Sequence, residues 1–164
     1  MRKCRTTTSS SRRARSGATR ARRRPRSAWS RSSTRWFEVK VSELPPGRLL
    51  TVGPEALLAE VAREMRRHDS DSVVVMSGDR LVGIITERDL VRAIADGLDP
   101  QQAAAAVVMT PEPATVTLDE DVSVVALKMM SRGVRHLPVV DDDGKPIGLV
   151  SARNLMAVLD RARS

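Results

Sequence analysis

The chain carries one pattern of about 45 residues twice, at residues 51–94 and again at residues 115–159. The copies are offset by 64 positions, as Thr51 and Thr115 show, and by 65 positions after one insertion in a turn. A unit this short cannot bury its apolar face alone, so two copies usually pack against each other. We therefore expect two halves related by a pseudo-twofold axis, with a cleft between them.

The two copies agree in their apolar positions and in one polar motif. The matched apolar positions include Val61 with Val125, Met65 with Met129, and Val75 with Val139. The motif is Gly-apolar-apolar-Thr-x-x-Asp at residues 83–89, and it returns at residues 148–154 with Ser for Thr and Asn for Asp. The duplication therefore preserves polar side chains as well as a core.

Each copy is predicted to fold as strand, helix, strand, turn, strand and helix, so the fold class is α/β. Hydrophobic periodicity and turn residues predict the elements. In the first copy we expect strands at residues 49–52, 72–76 and 81–85, with helices starting at Pro54 and at Thr86. In the second copy we expect strands at residues 114–117, 137–140 and 147–150, with helices at 119–132 and 152–162. Gly133 is placed to end a helix with a positive φ, and the connector could form a short helix at residues 101–106.

The charge is divided between two parts of the chain. Residues 1–37 contain Lys3, twelve arginines and no acid, whereas the rest carries −5 and brings the total to +8. The three aromatic residues also lie in this segment. The repeats must therefore build their core from Val, Leu, Ile, Met and Ala. They also offer no ring on which a base could stack, which argues against single-strand nucleic-acid binding by the repeats.

Residues 1–38 are predicted to be a disordered basic tail, because this composition cannot bury enough surface to offset the entropy of ordering. Three interpretations stay open. The segment could be a solvated tail or the product of a wrong start site, or it could be an organelle transit peptide. Alternatively, residues 1–37 could bind nucleic acid or another anionic surface nonspecifically, driven by counterion release.

Cysteine usage and hydropathy bound the compartment. Cys4 is the single cysteine, which excludes an intrachain disulfide and a thiolate metal site. The longest apolar run, residues 103–109, is far short of the roughly 20 residues that a membrane span needs. The charged N-terminus has no apolar stretch behind it, so it is not a secretory signal. We predict a soluble, cytoplasmic protein without membrane association.

The Thr-x-x-Asp motif is compatible with two roles. At a strand-to-helix junction it resembles a capping box, which contributes about 1 kcal/mol by satisfying backbone N–H groups. The same junction offers free N–H groups and a positive dipole to an anion. Its hydroxyl could bind a phosphate or ribose oxygen, and its carboxylate could accept hydrogen bonds from both ribose hydroxyls.

With these motifs the two copies resemble a pair of CBS domains, often called a Bateman module. The resemblance covers about residues 39–163 and also rests on residues 135–140, Arg-His-Leu-Pro-Val-Val, and on an Asp-Asp-Gly turn. It implies two β-α-β-β-α repeats at residues 39–100 and 101–164, packed with pseudo-twofold symmetry and commonly forming a disc-shaped homodimer. It also implies an adenosyl ligand (AMP, ADP, ATP or S-adenosylmethionine) in the clefts, as a regulatory ligand rather than a required cofactor.

The resemblance gives ligand-binding roles to individual residues. Asp89 and Asn154 would hold ribose hydroxyls, with Thr86 and Ser151 near the ribose or phosphate. The residues that would line the adenine pocket are Thr51, Val52, Thr115 and Val116. The residues whose positions reach phosphate in some family members are Arg135 and His136. Arg88 and Arg153 are candidates by position only, and a solvated helical face explains them equally well.

The copies also differ in ways that bear on binding. The first copy has Asp71-Ser72 where the second has Arg135-His136. A carboxylate near a phosphate position would repel the phosphate, so the two half-sites are not expected to be equivalent. Asn154 can still bond a hydroxyl, but it lacks the charge that strengthens such a bond.

The sequence contains no catalytic constellation. His68 and His136 are the two histidines, and there is no nucleophile pattern, phosphate-cradling loop or dinucleotide fingerprint. We predict no enzyme activity, no catalytic residue and no metal site. The leading hypothesis is a stand-alone regulatory module whose ligand biases the packing of the repeats, which an effector protein then reads. The alternatives are a structural CBS pair without a nucleotide, and a nucleic-acid binder that acts through its tail.

Overall fold

The structure is a computed structural model that describes residues 39–45 and 47–161. The predicted tail, residues 1–38, lies outside the described residues. After a 3-10 helix at Val41–Glu43, the first half contains β1 (Thr51–Val52), α1 (Leu58–Arg67), β2 (Ser72–Ser77), β3 (Arg80–Thr86) and α2 (Glu87–Ala95). The second half and its connector contain α3 (Ala105–Val108), β4 (Thr110–Pro111), α4 (Val122–Arg132), β5 (His136–Val140), β6 (Pro146–Ser151) and α5 (Ala152–Arg161).

The first half is built on a four-stranded sheet in the order β1-β2-β3-β4. The Val-rich strand β2 runs parallel to β1, with Thr51 opposite Val74. It forms an antiparallel hairpin with β3, and β3 pairs in turn with β4. One face of this sheet is covered by α1, and the core between them is made of aliphatic and thioether side chains: Val61, Met65, Val73, Val75, Ile85 and Ala105.

The second half repeats this plan around the hairpin of β5 and β6. The counterpart of β1 is a single parallel bridge between Val116 and Val139. Its core is likewise aliphatic, and includes Val125, Met129, Leu137 and Val150. A third cluster of Val74, Ile84 and Leu149 joins the two sheets. In the described residues, therefore, the core consists of the residue types that the sequence predicts.

The two halves exchange the segments that precede their first strands. Val41 and Leu44 belong to the core of the second half, where they are 4% and 6% exposed. The Val122 N–H donates to the Val39 carbonyl at 2.8 Å, which ties this segment to the start of α4. Conversely, Ala105 is buried in the core of the first half. The connector strand β4 pairs with β3 of that half. The segment before the first copy thus completes the second half, and the connector before the second copy completes the first half.

The predicted α/β class is confirmed, as are the order of the helices and both β-hairpins, and Gly133 ends α4 at φ 64°. Strand β4 was not predicted. Several boundaries were wrong. Helix α1 begins at Leu58 and not at Pro54, because Leu57 first bridges to Ala104 in an extended conformation. Helix α4 begins at Val122 and not at residue 119, since Asp121 is held extended beside Lys40.

The remaining differences lie around the connector. The strand predicted at residues 114–117 is reduced to the bridge at Val116. The short helix lies at Ala105–Val108 and not at 101–106, because the Ala105 N–H donates to the Ala56 carbonyl and fixes the helix start there. Among the residues that the structure describes, no helix has the length and apolar character required to cross a membrane.

Candidate functional site

An open cavity of about 460 Å³ lies between the two halves. Its wall from the first half is the end of β3 with the first turn of α2, including Thr86 and Asp89. Its wall from the second half is the loop between α4 and β5, including Arg135 and His136. Thr110 and residues 112–114 of the connector close a third side. The structure thus brings together four of the ten predicted ligand-binding residues.

Thr86 and Asp89 form the helix cap that the motif predicts. Asp89 Oδ2 accepts hydrogen bonds from the Thr86 N–H at 2.8 Å and from the Thr86 hydroxyl at 2.6 Å. The other carboxylate oxygen, Oδ1, lies 4.0 Å from Arg92 Nη1, a long ion pair at the rim of the cavity. Capping therefore occupies one oxygen of Asp89 and leaves the second able to accept a hydrogen bond from a ligand.

Ser151 and Asn154 make the equivalent cap at the start of α5. Asn154 Oδ1 accepts from the Ser151 N–H at 2.9 Å and from its hydroxyl at 2.6 Å, while the Asn154 N–H donates to Ser151 Oγ at 3.2 Å. The single amide oxygen is used by the cap, so the free end of this side chain is an NH₂ donor. Neither residue lines the cavity that holds Thr86. The two caps therefore offer a ligand different chemistry.

The four residues predicted to contact adenine are placed elsewhere. Val116 is 1% exposed in the core of the second half, and Val52 packs against the core of the first half. Thr51 is exposed, and Thr115 lines a wider depression beside the hairpin turns. None of the four lines the 460 Å³ cavity. Their adenine-binding role stays a prediction.

Asp71 and His136 make a polar contact that crosses the cleft. His136 Nε2 lies 3.0 Å from Asp71 Oδ1, and the two side chains are 9% and 48% exposed. Burial lowers the pKa of His136 below its ordinary value of 6.5. The Asp71 carboxylate opposes this shift, whereas the positive charges of Arg135 and Arg153 add to it. Near neutral pH the imidazole is therefore neutral, with Nε2–H as the donor to Asp71.

The lowered pKa of His136 predicts that the protein loses stability as the pH falls below about 6.5. In that range the unfolded chain binds a proton on this imidazole while the folded chain resists it, so the free energy of unfolding decreases. Urea unfolding between about pH 7.5 and 5.5 measures the slope. His136→Gln should remove part of it, and identical slopes for the two proteins would contradict the assignment.

Sequence reasoning missed four charged residues that line the cavity: Glu87, Arg92, Glu112 and Arg132. Arg92 could have been found, because it lies one helical turn beyond Asp89. Glu112 and Arg132 could not, since their position depends on how the connector and α4 pack against the first half. Together with Asp71, Arg88, Asp89 and Arg135, they give this cavity four carboxylates and four guanidinium groups.

The family model of the CBS domain matches this chain twice, at residues 41–96 and 104–161. The chain belongs to the CBS domain family. Its CBS domains are 40% identical over 121 residues to a 17.7 kDa protein of Acidianus ambivalens, covering 73% of each chain. They are 37% identical over 122 residues to an uncharacterised protein of Methanopyrus kandleri, covering 73% of this chain and 62% of the relative.

Solved CBS domain structures share this fold. A CBS domain protein of Pyrobaculum aerophilum, solved in complex with AMP, is 29% identical with a TM-score of 0.68, covering 77% of this chain and all of that chain. The CBS domain pair of protein MJ0100, solved with 5′-methylthioadenosine and S-adenosyl-L-methionine, is 25% identical with a TM-score of 0.69. That match covers 75% of this chain and 97% of the other.

Proposed function

We propose that this CBS domain pair is a regulatory module that binds an adenosine-containing ligand in the cleft between its halves. The observation that carries the proposal is the shared cavity, in which Thr86 and Asp89 of one copy face Arg135 and His136 of the other. Two similar CBS structures contain AMP, or 5′-methylthioadenosine and S-adenosylmethionine, which supports a ligand of this class.

The lining of the cavity suits the parts of such a ligand. Asp89 Oδ1 is available to ribose hydroxyls, and the first turn of α2 presents its N-terminus to a polar or anionic group. Apolar contact for a base comes from side chains of both halves and the connector: Ile84, Pro113, Val134 and Leu137. A ligand held this way touches both halves, so it stabilises the arrangement in which they are correctly spaced.

Regulation then follows from differential affinity and not from chemistry on the ligand. A ligand that prefers one spacing of the halves shifts the population toward it, and an effector protein or a second copy of the chain reads the change. The prediction that the module is non-catalytic is part of this proposal. So is the cytoplasmic location. Nucleic-acid binding through residues 1–37, which lie outside the described residues, stays an alternative prediction.

Ligand-dependent thermal unfolding of the full chain tests the proposal. We expect AMP, ADP, ATP or S-adenosylmethionine to raise the free energy of unfolding by about 2.7 kcal/mol at a concentration of 100 Kd. CMP is the matched control, because it has the charge and ribose of AMP but a different base. If none of the four adenosyl ligands shifts the transition, or if CMP shifts it equally, the cleft is not an adenosyl site.

A structural or interaction role is the second candidate, and it is favoured by apolar side chains on the surface. Strongly exposed apolar residues occur on four helices of the described part: Val91 and Ile94 on α2, Val107 on α3, Leu127 and Met130 on α4, and Met156 on α5. Their exposed fractions range from 61% to 78%. We propose that a homodimer covers these residues, with or without a ligand in the cleft.

A further inference from the structure

The contact between Asp71 and His136 puts an acid where the cleft would have to accept a phosphate. Asp71 immediately precedes β2 and lines the cavity, and its side chain is 48% exposed. Its carbonyl accepts from the Glu87 N–H at 3.1 Å, which fixes the residue beside the first turn of α2. A helix N-terminus is where an anion would otherwise be favoured. The carboxylate therefore competes with any phosphate for this end of the cleft.

The cleft also lacks an excess of positive charge among the described residues that line it. Its four guanidinium groups are balanced by four carboxylates. His136 is buried and its lowered pKa keeps it neutral near pH 7, so it adds no positive charge. A polyphosphate brings several negative charges into the cavity. The arginines attract these charges and the carboxylates repel them, so the lining provides no net attraction for the phosphates.

Asp71 also contacts the imidazole N–H of His136, a hydrogen-bond donor that a phosphate could otherwise use. His136 Nε2 lies 3.0 Å from Asp71 Oδ1, within hydrogen-bonding distance. An incoming phosphate must break this contact before the imidazole can donate to it. In the second copy the position of Asp71 is taken by Arg135, so the acid is a feature of one copy and not of the repeat.

We infer that Asp71 is a specificity-determining residue that selects against phosphate in this cleft. The cleft favours an adenosyl ligand without phosphate, a nucleoside thioether or sulfonium, over a monophosphate, and a monophosphate over a triphosphate. Asp71 does this by repulsion and by holding His136. The inference rests on the proposed function, since it names the class of adenosyl ligand that the same site takes.

The test is calorimetric titration of the full chain and its Asp71→Asn variant with 5′-methylthioadenosine, AMP and ATP. Asparagine keeps an oxygen that can accept from His136 but removes the charge. We expect Asp71→Asn to bind AMP about 3- to 10-fold more tightly, with a larger gain for ATP. The neutral thioether should bind both proteins equally. The gain should shrink as salt is added, because Asp71 is partly exposed.

Two further variants separate a local effect from a change in net charge. Asp96→Asn removes an exposed carboxylate outside the cleft and should give no gain. Asp71→Glu restores the charge and should restore the discrimination. An equal gain for all three ligands, no gain with Asp71→Asn, or the same gain with Asp96→Asn would overturn the inference. A wild-type protein that binds ATP most tightly overturns it and leaves the proposed function intact, whereas binding of none of the three, nor of ADP or S-adenosylmethionine, overturns both.

Discussion

Replacing Asp89 with alanine should weaken the binding of an adenosine ligand by about 10- to 100-fold. The substitution removes the free Oδ1, which lines the cleft at the start of α2. A hydrogen bond between a carboxylate and a ribose hydroxyl contributes about 1.5–3 kcal/mol, which corresponds to this loss. Titration calorimetry with the ligand that gives the largest thermal shift measures the change directly.

The second cap of the same chain provides the control for Asp89. Asn154→Ala removes the equivalent cap acceptor from Ser151 at the start of α5, but Asn154 does not line the cavity. Both variants should lose about 1 kcal/mol of stability through the lost cap. Only Asp89→Ala should weaken the binding of a ligand in the cavity that Asp89 lines. If both variants keep the ligand affinity of the wild-type protein, Asp89 is a structural cap and its assignment to ribose is wrong.

Truncating Ile85 to alanine should lower the free energy of unfolding by about 2–5 kcal/mol. Ile85 is 0% exposed in β3, opposite Val73, and packs in the core of the first half. The truncation removes apolar contacts and leaves a void that the surrounding β-branched side chains cannot fill. Because a domain of this size is stable by only about 5–15 kcal/mol, chemical denaturation should show a large shift in the midpoint.

The matched substitution at an exposed isoleucine is Ile94→Ala on α2. Ile94 is 61% exposed, so the change should alter stability by no more than about 0.5 kcal/mol. Measuring both variants at two protein concentrations also tests the proposed homodimer, since a loss at Ile94 that depends on concentration indicates an interface. Equal losses for Ile85 and Ile94 at low concentration would contradict the burial described for β3.

Local patterns were enough to predict the elements that local interactions determine. The Val-rich run at β2, the turn before β3 and the glycine at residue 133 each indicate their structure within a few residues. The helix cap at Thr86 was also readable, because its donor and acceptor are three positions apart in sequence. The repeat itself indicated the paired architecture and hence the cleft.

The remaining features depend on contacts between distant segments. The late starts of α1 and α4 follow from bridges that join Leu57 to Ala104 and Lys40 to Asp121, and no short window of sequence contains both partners. The pairing of His136 with Asp71 has the same origin. The sequence has Asp71 in one copy and His136 in the other, at repeat positions that differ by one. Only the packing of the halves brings the two side chains to 3.0 Å.

Because of the exchanged segments, the two copies of the repeat cannot be separated without damage to both cores. Dividing the chain between the copies would leave the first core without Ala105 and the second core without Val41 and Leu44. Neither fragment would have a complete hydrophobic core, because each would lack residues that the other fragment carries.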